Sequence, residues 1–424
     1  MTTINRHYVL AAGGTGGHMI PAYALGEELM RRGHRVALLT DERGAKIPGI
    51  FEEGQVHILP TARLSGGPLA RLKGLRSIWQ GRKMALRLFD SFQPTAVVGF
   101  GGYPALPTLL AANKAKLPTI VHEQNAVFGR VNRLMARKVG AIATAYKKVE
   151  RLDSKYADKV HVVGNPVRQA ILDIRTQDFP PFLPDGIFRV LVTGGSQGAK
   201  VLSEMVPDGL AMLPTHLRRR LQVTQQCREE DIDLVRERYA AHEIPAELAT
   251  YIDDLPDRLA WAHLFIGRAG ASTIAELTVA GRPAILVPLP FATDDHQTAN
   301  AREMVDAGGA RAIVQPKITT RDPDALGGDK ANALRKQQAD EYQKMAKQLC
   351  KQIQKIAMDP ASLENAALAA HKCGYPNATR DLADLVESAG GDPLSDAIRI
   401  RPAAQGAVRP KESLAHSTDK KESV

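Results

Sequence analysis

The stretch YVLAAGGTGGHMIPAYALGEELMRRGHRVALLTD, residues 8–41, decides the fold class. Tyr8 to Ala12 reads as an apolar strand and GGTGGH, Gly13 to His18, as a tight turn. Ala22 to Arg32 reads as an amphipathic helix ended by Gly33, and Arg35 to Thr40 as a second strand stopping at Asp41. This order is a βαβ opening. It returns in RVLVTGGSQGAKVLSEMVPDGLAM, residues 189–212, where Gly194 lies 181 positions after Gly13. Two such openings in one chain predict an α/β protein of two Rossmann-like domains with facing parallel sheets. Further strands are expected at Ala96–Val98, Thr119–His122, Val160–Val163, Gln222–Thr224, Leu264–Ile266 and Ala284–Val287.

Working outward, Pro166, Pro180, Pro181 and Pro184 mark a junction, which places the first domain at 1–170 and the second at 187–375. Within the second, TRDPDALGGDK opens a charged segment over about 319–358, with Tyr342, Met345, Leu349, Ile353 and Ile356 on one helical stripe. A short helix is expected at 376–390 and disorder at 391–424, where large apolar residues are scarce. A hydrophobic content of 44% excludes wholesale disorder, and the three separated cysteines exclude a disulfide framework or a CxxC zinc site. No signal peptide is expected, because the first apolar stretch is too short. Residues 91–113 carry no charge, but Pro94, Pro104, Pro107 and three glycines break the run, which suits strand, loop and helix better than a membrane span.

The formal charge is +10 and unevenly spread: Gly54 to Val149 holds 15 basic residues against Asp90 and Glu123, which leaves the remainder of the chain acidic. Such a surface suits an anionic partner, or serves only as a solvated face. In RLKGLRSIWQGRKMALRLF, the apolar Leu72, Leu75, Ile78 and Trp79 interleave with Arg71, Lys73, Arg76, Arg82, Lys83 and Arg87. That pattern fits peripheral docking on acidic lipid, and equally a core-facing helix with one wet side. Nucleic acid is disfavoured as partner, since aromatic residues make up only 5%.

Glycine turns that feed helices suit phosphate, because backbone N–H groups can approach the anion and the helix N-terminus adds positive potential. Neither turn ends in the Gly-Lys-Ser/Thr of a P-loop. Asp41 could serve as the acid that holds the ribose of NAD, so an NAD-dependent oxidoreductase is the rival reading. A third segment, GRAGASTIAEL (Gly267 to Leu277), offers Ser272 and Thr273 as helix caps and Glu276 as acceptor for a ribose diol, or as a merely solvated helix residue. DDHQTANA then brings His296, Gln297 and Asn300 near the same cleft. Asp253–Asp254, Asp294–Asp295 and Asp231-Ile-Asp233 could suggest a metal site, but Asp231 sits at a helix start, and no obligatory metal or other cofactor is expected.

Seven motifs, GGTGGHMIPAYAL, GFGGYPALP, HEQNAVFGRVNR, GNPVR, GGSQGA, GRAGASTIAEL and DDHQTANA, occur in that order over residues 8–310. The chain thereby resembles the bacterial UDP-N-acetylglucosamine:undecaprenyl-pyrophosphoryl-MurNAc-pentapeptide N-acetylglucosaminyltransferases of peptidoglycan synthesis. The resemblance implies two domains across a deep cleft (GT-B type) and single-displacement, inverting transfer from UDP-GlcNAc to lipid I, giving lipid II. It implies donor contacts from Thr15, Gly16 and Gly17, a sugar contact from Asn125, phosphate contacts from Arg168 and Ser196, and Ile252 against the uracil. Ala271, Ser272, Thr273, Ile274, Ala275 and Glu276 would line the nucleotide, with Gln297 near the sugar hydroxyls. His18 resembles the general base and Glu123 an acceptor-side residue; a histidine at this helix start is equally suited to capping or to ligating a phosphate. The resemblance also implies work at the cytoplasmic face of the inner membrane and leaves room for partners among cell-wall or division proteins. Transfer to another lipid, such as a diacylglycerol, is the nearest alternative. The 319–358 segment and the tail have no counterpart in the pattern.

Overall fold

A computed structural model describes residues 5–47, 49–61, 67–183, 185–195 and 198–391. Two parallel sheets organise them. The first contains β1 (His7–Ala11), β2 (Arg35–Thr40), β3 (Val56–Ile58), β4 (Ala96–Gly99), β5 (Thr119–Glu123), β6 (Ala141–Thr144) and β7 (Val160–Val162), in the order β3-β2-β1-β4-β5-β6-β7. The second contains β8 (Phe188–Thr193), β9 (Leu221–Gln226), β10 (Ala246–Ala249), β11 (Leu264–Gly267), β12 (Ala284–Leu286) and β13 (Ala310–Ala312), in the order β10-β9-β8-β11-β12-β13. All pairings are parallel, and near-continuous apolar runs such as Tyr8 to Ala11 and Val190 to Val192 are buried on both faces. In each sheet the strand order reverses beside the first strand, between β1 and β4 and between β8 and β11. Ligands of open α/β sheets bind in the crevice at that reversal, beyond the carboxyl ends of the strands.

The first helix runs Gly16–Arg31 and so begins six residues before the expected Ala22. Pro21 and the glycines read as breakers, yet Pro21 is tolerated inside the helix, where its missing N–H leaves the carbonyl of Gly17 without its usual helical partner. Strands β3, β6, β10 and β13 were not expected; each has only three or four residues. Ser272 and Thr273 do not cap the helix that follows β11: it spans Ala271–Ala280 with Gly270 as N-cap, which puts both residues inside the first turn.

The charged segment proves to be structural. Its helix, Gly328–Ala357, buries Tyr342, Met345, Leu349, Ile353 and Ile356 among Leu202, Met205, Val206 and Leu210 of the helix Lys200–Ala211. Gly209 permits the approach, since a Cβ there would stand 2.9 Å from Leu349 Cδ2. Gln338 donates to the carbonyls of Ile318 and Arg321, and the Tyr342 hydroxyl to that of Thr319, tying the preceding loop down.

The chain crosses between domains twice. The outward crossing passes through Gly164–Val167. The return follows the helix Pro360–Lys372 and ends in a helix, Ala378–Ala389, that packs on the first domain. Leu382, Ala383, Leu385 and Val386 are buried there against Met19, Leu25 and Leu29. Arg32 bridges Asp384 and Glu387 at 2.7 and 2.6 Å, and His34 meets Glu387 at 2.8 Å. The two crossings touch, for a Cβ on Gly164 would collide with the Tyr375 side chain. The stretch 392–424, expected to be disordered, lies outside the described residues.

Leu382 is fully buried, so Leu382→Ala should cost about 2–5 kcal/mol. The measurement is native-state hydrogen exchange of the β1 amides, whose protection should fall by that amount; unchanged protection would show that the return helix does not hold the first domain.

Candidate active site

Four glycine-containing turns converge at the two strand-order reversals. GGTGGH follows β1 and GFGGYP follows β4; GGSQGA follows β8 and GRAGAS follows β11. Thr15 is the N-cap of its helix in extended conformation and makes no side-chain cap bond, so it stands exposed beside the part-exposed Gly16 and Gly17. Asp41, the one candidate for an NAD ribose, is already engaged: its Oδ1 accepts from the Gly14 and Gly44 amides at 2.9 Å, and Oδ2 pairs with Arg43. It braces the first glycine turn.

His18 projects from the start of that helix onto the Gly101–Gly102 turn, where both glycines have positive φ (79° and 70°). A Cβ on Gly102 would stand 3.3 Å from His18 Nε2, so this left-handed turn also keeps the imidazole edge clear. Nδ1 of His18 lies 3.1 Å from Gln124 Oε1. Desolvation lowers the pKa of the ring below its usual 6.5; Gln124 and the Phe100 carbonyl oppose this, and His296 from the second domain adds to it.

Glu123 does not reach into the cleft. It is 2% exposed, and its carboxylate accepts from the Asn125 amide and side chain through Oε1, and from the Gly129 amide and Asn132 Nδ2 through Oε2. Burial raises its pKa and these four bonds oppose the rise. The side chain therefore anchors the loop HEQNAVFG instead of standing on the acceptor side. Asn125 is part-buried at the cleft, and its Oδ1 accepts from Asn300 Nδ2 at 3.1 Å. Asn300 reaches across the domains: it also donates to the Ala269 carbonyl (3.2 Å) and accepts from the Ala126 amide (2.8 Å). Arg133 and Arg151 reinforce this seam by pairing with Asp294 at 3.0 and 2.6 Å.

Just past the outward crossing, Arg168 meets Glu276 of the second domain, its Nε and Nη2 standing 3.1 and 2.8 Å from Oε1. Burial raises the pKa of Glu276 and Arg168 opposes it. Ser272 Oγ is buried without a hydrogen-bond partner among the described residues, beside the part-exposed Thr273. Ala271 and Ile274 are buried, and Ala275 is part-buried. These three line a cavity at the domain joint with Tyr146, Asn165 and Tyr375, whereas Glu276 does not line it. Ile252 is part-buried against the core of this domain, and Gln297 accepts from the Leu289 amide at 2.9 Å. Ser196 lies outside the described residues.

Two arginines to which the sequence assigned no role lie beside these turns. Arg268 donates to the carbonyls of Val287 and Pro288 and to Gln315, and burial lowers its pKa to about 10. Arg228 bears on it electrostatically and packs against Gly198 of the second glycine turn. Both arginines were visible in the sequence; the packing of Arg228 on the second glycine turn was not.

On helix Pro68–Phe92, Leu72, Leu75 and Trp79 are 64%, 55% and 60% exposed, with Arg71, Lys73, Arg76 and Lys83 also exposed. Ile78 departs from the expected docking face: it is 8% exposed and packs into the core near Leu106 and Leu109, while Arg82 is part-buried. Among the described residues, no helix is long and apolar enough to cross a membrane.

Comparison with known proteins agrees with this geometry. The N-terminal domain of glycosyltransferase family 28 matches residues 8–144, and the C-terminal domain of that family matches residues 189–359. The chain is 64% identical over 400 residues to the UDP-N-acetylglucosamine–N-acetylmuramyl-(pentapeptide) pyrophosphoryl-undecaprenol N-acetylglucosamine transferase of Novosphingobium aromaticivorans, covering 94% of this chain and 96% of that one. The enzyme of the same description from Erythrobacter litoralis is 60% identical over 96% of this chain and 97% of its own. Among solved structures, Acinetobacter baumannii MurG superposes with a TM-score of 0.66 at 28% identity, covering 90% of this chain and 99% of that one. Two glycine-lined switch points, closed on each other by Asn300 and matched along both domains, place this chain in glycosyltransferase family 28.

Proposed function

We propose that the chain transfers N-acetylglucosamine from UDP-GlcNAc to the MurNAc 4-hydroxyl of undecaprenyl-pyrophosphoryl-MurNAc-pentapeptide (lipid I), with inversion, to give lipid II. The observation that carries this reading is the convergence of the four turns on one cleft, in a chain whose relatives bear that name along their whole length. His18 Nε2 takes the proton of the acceptor hydroxyl as its oxygen attacks the anomeric carbon. The new glycosidic bond forms while the bond to the UDP β-phosphate breaks, and the electron pair leaves with UDP. The N-terminal amides of the helices Gly16–Arg31 and Ala271–Ala280, with Arg168, Arg228 and Arg268, supply the positive potential that this departure needs. Ser272 finds its missing partner in the donor, Glu276 takes the ribose diol, Ile252 lies against the base, and Asn125 and Gln297 hold the sugar.

The acceptor's polyprenyl chain confines the reaction to the cytoplasmic face of the membrane. The exposed apolar face of the helix Pro68–Phe92, Leu72, Leu75 and Trp79, flanked by Arg71, Lys73, Arg76 and Lys83, docks there on anionic lipid. Ile78 is excluded from that face by its burial.

Glu276→Gln weakens a charge-assisted contact to the ribose, and UDP affinity should fall roughly tenfold to a hundredfold in a calorimetric titration; unchanged affinity would remove Glu276 from the donor site. For His18 the sign is set by its function: a protonated ring cannot accept a proton, so turnover is lost as pH falls through its pKa. Because burial lowers that pKa, the acidic limb of kcat should lie below pH 6.5, and a limb above pH 7 would contradict the assignment. Vesicles containing phosphatidylglycerol should sediment the protein at low salt and release it at high salt, with Leu75→Ala/Trp79→Ala retained less; no sedimentation at low salt would refute the docking face.

A further inference from the structure

The ring of His18 has two distinct nitrogens, and as a base it works only if the one facing the reactants carries the lone pair. We propose that Gln124 and His122 are positioning residues that hold His18 in the tautomer protonated on Nδ1, leaving Nε2 unprotonated toward the cleft. This rests on the reading of His18 as the base.

The assignment follows from what each atom is able to donate. Gln124 is 1% exposed and its Nε2 lies 3.0 Å from both Nδ1 and the backbone oxygen of His122. A carbonyl oxygen only accepts, so this end of the amide must be the NH2; turning the amide over would place two oxygens 3.0 Å apart. The other end, Oε1, then faces His18 Nδ1 at 3.1 Å and only accepts, so His18 Nδ1 must bear the hydrogen. The same rule closes the far end. His122 is fully buried, and its Nε2 lies 2.9 Å from the carbonyl of Gly164. That nitrogen donates, and the Nδ1 lone pair receives one amide hydrogen of Gln124. Burial also drives the pKa of His122 to about 4, so the ring is neutral where the enzyme works. Carbonyl, imidazole, amide and imidazole thus form one hydrogen-bonded chain; Gln124 gives its second amide hydrogen to the His122 carbonyl, and the Phe100 carbonyl also bears on the His18 ring.

Two further observations bear on the outcome. The chain starts at Gly164, on the crossing between domains, so it is anchored in backbone and not in a mobile side chain. At its other end, the glycine at 102 leaves the Nε2 edge of His18 clear. The tautomer also separates two roles that the residue type alone leaves open. A neutral ring protonated on Nδ1 has no hydrogen on Nε2 to give a phosphate there, whereas it is ready to accept one from a hydroxyl.

The test is nitrogen NMR of the full chain labelled with 15N-histidine, at pH 8, with resonances assigned from His18→Asn and His122→Asn. The expected spectrum shows His18 protonated on Nδ1 and His122 on Nε2, and it is read from the unaltered protein. His18 protonated on Nε2, or averaging between tautomers, would overturn the proposal. Gln124→Leu should release His18 from the Nδ1-protonated form and lower kcat roughly tenfold to a hundredfold, within the range that general-base catalysis supplies, while the KM for UDP-GlcNAc stays within about twofold. An unchanged kcat would count against the relay. Its failure and that of the base assignment are separable. If the expected tautomers are seen but His18→Asn turns over normally, the base reading falls and the tautomer stands; if His18→Asn is inactive while His18 of the unaltered protein averages between tautomers, the relay falls and the base reading stands.

Discussion

The site exists only while two separately folded sheets present their carboxyl ends to one another, and the fully buried amide of Asn300 is central to that arrangement. Its three bonds go to three places that must be in register: the Asn125 side chain, the Ala126 amide and the Ala269 carbonyl. The first two belong to the loop that follows β5 in the first domain. The third belongs to the turn between β11 and the helix Ala271–Ala280. An amide that shifts by one ångström loses all three at once, and a buried amide left unpaired costs more than the bonds contribute when made. Register between the loops of the two domains is therefore enforced by the penalty of leaving polar groups unsatisfied. Apolar packing of Ala299 against Val127 and Tyr146 supports this, but it could tolerate sliding.

The polar pair at the other side of the donor site obeys a different logic. Arg168 and Glu276 are mutually neutralised, with Glu276 almost wholly buried. For Arg168 to serve phosphate and Glu276 to serve a ribose, both must change partner. Under the proposed donor roles the exchange is feasible, because a nucleotide offers an anion for the guanidinium and two hydroxyl donors for the carboxylate. A ligand with phosphate but no ribose would draw Arg168 away and leave the buried Glu276 carboxylate uncompensated, which would disfavour diphosphates without a ribose.

What the sequence made legible was whatever is encoded locally. Strand, glycine turn and helix follow from contiguous apolar and glycine patterns, so both sheets and their reversal points could be expected from residues 8–41 and 189–212. The stripe of the Gly328–Ala357 helix was equally plain, while its partner, the face of Lys200–Ala211 around Gly209, lies over a hundred residues away and carries no local mark. The same divide runs through the site. Glu123 in HEQN reads as an acceptor-side residue because its four hydrogen bonds, from groups spread over residues 125–132, become visible only when the loop folds back. Gln124 between them looks unremarkable in sequence, and its role depends on His18, more than a hundred positions upstream. Ile78 sits among cations on a helix whose buried face is set by the neighbouring helix Gly102–Lys114, not by its own composition.

Backbone strain marks the same seam from another direction. Six non-glycine residues among those described have left-handed φ. Gln93, Lys116 and Glu243 lie just past helix ends, where such a conformation ordinarily terminates a helix. The other three, Arg151, Asp294 and Asp295, end no α-helix and lie together, because Arg151 is paired with Asp294 across the domains. A left-handed conformation costs roughly 1–2 kcal/mol per residue for a side chain with a Cβ, although aspartate bears it better than most. Here it is held on both sides of the ion pair. Asp295, in turn, accepts from the Thr298 hydroxyl at the opening of the helix His296–Asp306. That helix carries Gln297 and Asn300. An ordinary right-handed turn at Asp294 would rotate its first residues away from the cleft, so the strain and the two arginines that oppose it set the direction from which Asn300 reaches the other domain.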